Sequence, residues 1–111
     1  AHSLGGFLDL PHGECNALLL EHVVSYNYSS EPERYGEVAK ALELSADQSA
    51  LVKGLEALRI QTGIKRSLGQ NGVEKSNLPE LASKAITDPC MATNPRVPTQ
   101  LEIEEVYAAA L

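Results

Sequence analysis

Apolar residues recur along this chain at helical rather than alternating spacing, and the recurrence breaks into separate blocks. The first block predicts a helix from about Gly13 or Glu14 to Asn27, with Cys15, Leu18, Leu19, His22, Val23 and Tyr26 on one face and Leu20 and Val24 beside it. So broad an apolar face suits a central helix with neighbours on more than one side. A second helix is predicted over about Glu31 to Leu42, burying Tyr35, Val38, Ala39 and Leu42. A third spans about Ala46 to Thr62 and uses Leu51, Val52, Leu55 and Leu58, with Gly63 placed where a left-handed residue ends a helix. Gly54 weakens that helix by roughly 1 kcal/mol relative to Ala, which points to close helix packing. Leu78 to Thr87 and Gln100 to Leu111 supply the last two of about five helices.

The helix starts carry their own signal. A side-chain acceptor followed three residues later by Glu or Gln satisfies two orphan backbone donors at once. Four such pairs precede apolar runs: Ser30 with Glu33, Ser45 with Gln48, Asn77 with Glu80, and Thr99 with Glu102. Between the third and fourth helices, Gly63 to Asn77 reads as a polar connector with an Asn71-Gly72 turn and a short helical turn around Arg66 to Leu68. Asp88 to Pro98 reads as a loop, because Pro89, Pro95 and Pro98 break helices. With no strand pattern, repeat or low-complexity run, the fold class is all-α, a helical bundle.

Charge and cysteine content narrow the partners. A net charge of −6, with Lys65-Arg66 as the densest basic cluster, argues against a nucleic-acid partner. No apolar run is long enough to span a membrane. Cys15 and Cys90 lie far apart and outside any C-x-x-C pattern, so reduced thiols and a cytoplasmic location are expected.

The candidate chemistry lies in the opening segment. His2 and His12 bracket a glycine-containing apolar turn, which places His2 on a loop and His12 at a helix start. Neutral imidazole is a common ligand for iron or zinc, and its pKa lies near neutrality. Spacing alone does not join the two, because ten residues separate them, unlike the two histidines of H-E-x-x-H. His2 also reads as a frayed terminal residue. His22 points about 80° away from His12 on the same helix and reads as a packed or capping residue. Asp9 or Glu14 would orient the His12 imidazole, and Glu14 is equally explained by the positive end of the helix dipole. Tyr26 and Tyr28 read as core-edge packing. Arg96 reads as a phosphate binder or as a donor to loop carbonyls, the structural role being favoured.

The wording of the segment goes further than its spacing. His2-Ser3-Leu4-Gly5-Gly6, Asp9-Leu10-Pro11-His12-Gly13 and Asn16-Ala17-Leu18-Leu19-Leu20, with His22-Val23, closely resemble the iron-containing (group III) alcohol dehydrogenases. Asp88-Pro89-Cys90-Met91 and Thr93-Asn94-Pro95-Arg96, followed by a helix from Thr99, are similar to that family's closing segment, so the resemblance covers essentially the whole chain. It implies that residues 1–111 are the later part of the C-terminal helical domain of a dehydroquinate synthase-like two-domain enzyme. The N-terminal nucleotide-binding domain is then expected to lie outside them.

By that resemblance, His12 matches the last of four metal ligands, one Asp and three His, around Fe²⁺ or, in some members, Zn²⁺. The other three are expected before Ala1. His2 matches a histidine near the nicotinamide and the metal, which implies a cofactor contact and a catalytic role in proton relay. Cys90 matches a position bordering the substrate pocket; pocket lining is favoured over a thiolate, which needs a basic or helix-N-terminal environment. The implied reaction is hydride transfer between a metal-activated primary alcohol or diol and NAD or NADP. Related family reactions are those of glycerol dehydrogenases, maleylacetate reductases and hydroxyacid-oxoacid transhydrogenases. A non-catalytic helical interaction domain is the reading outside catalysis. The expected partners are a small alcohol or aldehyde, the N-terminal domain of the same protein, and further copies in a homo-oligomer; the 111 residues alone are expected to be inactive.

Overall fold

A computed structural model describes all 111 residues as six α-helices without a strand: α1 (His2–Leu8), α2 (His12–Asn27), α3 (Pro32–Ala41), α4 (Gln48–Gln61), α5 (Leu78–Ala85) and α6 (Gln100–Ala109). Short 3-10 turns occupy Tyr28–Ser30, Gly69–Asn71, Lys75–Asn77 and Pro89–Thr93. The all-α class holds. The additional helix is α1, which the Gly5-Gly6 pair disguises as a turn. It forms because tertiary burial outweighs the helix-weakening effect of glycine. Leu4 is fully buried, Ser3 Oγ donates to the Leu81 carbonyl, and Asp9 ends the helix in the left-handed region at φ 53°.

α2 is the hub, packing against α1, α4 and α6. Its sides serve two separate cores. The larger joins Leu4, Cys15, Leu18 and Leu19 to Leu68, Val73, the α5 residues Leu78, Leu81 and Ala82, and Ile103 and Tyr107 of α6. The smaller gathers Val24, Ala39, Leu51 and Leu55 where α2, α3 and α4 meet. Because the cores lie on different sides of α2, its buried set is Cys15, Leu18, Leu19, Glu21, Val24 and Asn27. Leu20 and Val23, expected near the apolar face, are exposed, as are Val38, Leu42 and Leu58.

Two polar residues on α2 are buried because each meets a matched partner. Arg59 places Nε and Nη2 at 2.9 and 2.8 Å from Glu21 Oε1, while its Nη1 donates to the Ile64 carbonyl. Asn27 and Asn94 exchange side-chain amide hydrogen bonds at 2.9 Å in each direction. The second pair fastens the segment before α6 onto the end of α2.

Of the four capping pairs, Thr99 with Glu102 forms as expected: Thr99 Oγ1 accepts from the Glu102 N–H, and Glu102 Oε2 accepts from the Thr99 N–H. At α4 the cap is Asp47 rather than Ser45, its Oδ1 accepting from the Ala50 N–H. Asn77 instead closes a box with Glu74 around the preceding 3-10 turn, and α3 opens at Pro32 without a side-chain cap. Gly63 takes the expected left-handed conformation at φ 93°. The close contact at Gly54 is with a loop side chain rather than a helix: a Cβ there would meet Leu44 Cδ1 at 2.3 Å. The connector from Gly63 to Asn77 is not wholly polar in role, since it buries Leu68 and Val73, and its helical turn falls at Gly69–Asn71 rather than Arg66–Leu68.

Candidate functional site

The two histidines that spacing leaves unconnected meet in space. α1 and α2 form a helical hairpin, closed by the left-handed Asp9 and by Pro11, which precedes the first residue of α2. The hairpin stacks the His2 and His12 rings with centroids 4.5 Å apart and planes inclined by 16°. His2 is therefore neither on a loop nor frayed: it is the first residue of a docked helix. His12 stands exposed at the start of α2, so its imidazole is accessible from outside the bundle.

The segment after α5 supplies the third member of the cluster. Asp88 Oδ2 lies 2.6 Å from His2 Nδ1, across 86 residues of sequence. Its other oxygen, Oδ1, accepts from the Cys90 N–H at 2.9 Å, capping the Pro89–Thr93 turn. The Cys90 N–H and the His2 side chain together hold the Asp88 carboxyl down at about 2. The carboxylate is thus charged throughout the neutral range.

Cys90 is exposed beside this carboxylate, and its thiol is pushed up by its hydrogen bond to Asp88 and by that residue's charge. Such surroundings disfavour a nucleophilic thiolate. Met91, rather than Cys90, enters the neighbouring apolar cleft of about 100 Å³, where it joins Leu19, Val23, Tyr26, Ile103 and Tyr107.

The rest of the segment is structural. Arg96 Nη2 bonds Glu102 Oε1 at 2.7 Å, and its guanidinium carbon lies 4.1 Å from the centroid of the Tyr26 ring. Tyr26 in turn donates to Glu102 Oε2 at 3.1 Å. Arg96 therefore has the structural role favoured from sequence, although its partners are side chains more than loop carbonyls. His22 lies against Glu21 and Arg59, away from the His2–His12 pair, and burial, followed by the Arg59 charge, lowers its pKa despite the opposing Glu21. It is a packed residue. Asp9 and Glu14 are exposed.

As a metal centre, these residues are incomplete. No group of three or more His, Cys, Asp or Glu side chains is placed to hold an ion. The donor chemistry of His12, a single exposed imidazole, fits one ligand of a metal centre rather than a whole site. Sequence reasoning missed Asp88 as the partner of His2, and only its place beside Cys90 in the resembling segment hinted at a role.

An all-helical bundle, with a paired-histidine hairpin at one end and a proline-rich segment folded back onto it, defines the class. Residues 1–111 match the C-terminal part of the Fe-containing alcohol dehydrogenase family, and the chain belongs to that family. It is 37% identical to lactaldehyde reductase of Escherichia coli K12, over 99% of this chain and 31% of that protein. It is 33% identical to 1,3-propanediol dehydrogenase of Citrobacter freundii, over 99% of this chain and 30% of that protein. The solved structure of a 1,3-propanediol oxidoreductase superimposes with a TM-score of 0.92 at 30% identity, covering 99% of this chain and 31% of the other. An alcohol dehydrogenase from Oenococcus oeni gives 0.87 at 32% identity, covering 99% of this chain and 30% of its own. The chain thus spans about a third of the length of these relatives.

Proposed function

We propose that these residues are the partial C-terminal helical domain of an oxidoreductase that interconverts a small primary alcohol or diol with its aldehyde, using NAD or NADP. The observation that carries this reading is the stacking of His2 on His12 across the α1–α2 hairpin. Family membership and the diol and aldehyde chemistry in the relatives' names support it. The N-terminal nucleotide-binding domain and the remaining ligands come from outside residues 1–111, and the whole enzyme is a homo-oligomer.

In this reading His12 is the metal ligand, donating a ring nitrogen to Fe²⁺ or Zn²⁺. A divalent ion supplies Lewis acidity there, lowering the pKa of the alcohol hydroxyl. His2 is the catalytic residue and a neighbour of the nicotinamide. It takes the proton that leaves the alcohol and passes it toward solvent, a task suited to its exposed ring. Cys90 borders the substrate pocket as an uncharged thiol. The Pro89–Thr93 turn holds it there, and the Asn27–Asn94 and Arg96–Glu102 contacts hold the segment that follows.

The test uses the complete enzyme that contains these residues. His12→Ala is expected to lose bound metal, measured by elemental analysis of purified protein, and with it NAD(P)-linked alcohol oxidation. Retention of both metal and rate by that variant would overturn the assignment.

A further inference from the structure

Asp88 has no role in the reading above, yet both its oxygens are committed. One accepts the Cys90 N–H at 2.9 Å, and the other lies 2.6 Å from His2 Nδ1. An ionised carboxylate offers only acceptors, so the Nδ1 facing it must carry the ring hydrogen. In a neutral imidazole the lone pair then sits on Nε2. The side chain of Asp88 is only 17% exposed whereas that of His2 is 64% exposed, so the anchor is shielded while the ring it holds reaches outward.

We propose that Asp88 is a positioning residue for His2, fixing the Nδ1–H tautomer and holding the ring stacked on His12 so that Nε2 presents its lone pair as proton acceptor. The proposal rests on the reading of His2 and His12 given above. It also couples two parts of the chain: the turn that carries Cys90 and the ring of His2 are set by the same carboxylate. A shift of that turn would therefore re-aim the imidazole.

Asp88→Asn tests the arrangement because an amide supplies one oxygen where a carboxylate supplies two. If the amide oxygen stays on the Cys90 N–H, the NH₂ faces His2 Nδ1, and the ring hydrogen must move to Nε2. If the amide turns round, His2 keeps its tautomer and the Pro89–Thr93 turn loses its cap. Asp88→Glu keeps both oxygens.

The experiment is done on the complete enzyme labelled with ¹⁵N-histidine, reading the imidazole nitrogen shifts of His2, identified by their loss in His2→Ala, alongside steady-state kinetics and metal content. The wild type is expected to show the Nδ1–H tautomer. Asp88→Asn is expected to invert it and lower kcat by about 10- to 100-fold, as for other groups that orient active-site histidines, with KM and metal content little changed. Asp88→Glu is expected to restore the tautomer and part of the rate. A wild-type Nε2–H tautomer overturns the proposal whatever the variants do, and so does an inverted tautomer or lost cap in Asp88→Asn without a change in kcat. If His12→Ala abolishes metal and activity while Asp88→Asn is silent, only the positioning role fails. If His12→Ala is itself silent, the underlying reading fails.

Discussion

Replacing Arg59 by Ala isolates the one ion pair buried inside this bundle. The Glu21 side chain is 4% exposed and that of Arg59 13%, and both guanidinium contacts fall on Oε1, leaving Oε2 without a partner. The other neighbouring basic group, His22 Nε2, is 3.8 Å away on a ring whose pKa is lowered, chiefly by burial. Arg59→Ala therefore strands a carboxylate in the interior, at an expected cost of about 3–5 kcal/mol. An exposed pair would cost roughly 0–1 kcal/mol. Against a total stability of about 5–15 kcal/mol for a domain, the difference is easily resolved. Urea unfolding followed by circular dichroism measures it.

The double variant Glu21→Leu/Arg59→Met removes both charges at similar volume and is expected to match the wild type or exceed it by about 1–4 kcal/mol. A loss below about 1 kcal/mol for Arg59→Ala would refute the buried-charge account and place the pair among exposed contacts.

Leu4→Ala removes a fully buried side chain from α1 and should cost about 2–5 kcal/mol in the same unfolding assay; a negligible loss would mean that α1 is not docked. Glu102 accepts from the Thr99 N–H, Tyr26 and Arg96, and the first of these is the main cause of its lowered pKa. A carboxylate depressed on folding contributes stability above its unfolded pKa and loses it as pH falls through the folded one, so the Tm gap between wild type and Glu102→Gln should be widest at neutral pH and close below about pH 4. A gap that stays constant from pH 7 to pH 3 would refute that sign.

Local chemistry made much of the bundle legible in the sequence. Helical periodicity marked α2 to α6 because each has an apolar stripe to bury, and the hydroxyl of Thr99 with the carboxylate of Glu102 marked the start of α6 because both partners lie within one turn. Gly63 marked the end of α4 because a residue without Cβ takes positive φ at little cost. The resembling segments singled out His2, His12 and Cys90 as candidates. Tertiary structure decided what depends on contacts between residues far apart in the chain. α1 is a helix because Leu4 finds a core, and Glu21 and Asn27 are buried because Arg59 and Asn94 meet them. His2 and His12 stack only when the hairpin closes, and Asp88 reaches His2 from 86 residues away. No pattern of neighbours along a chain encodes such pairs, because each is fixed by how the helices pack.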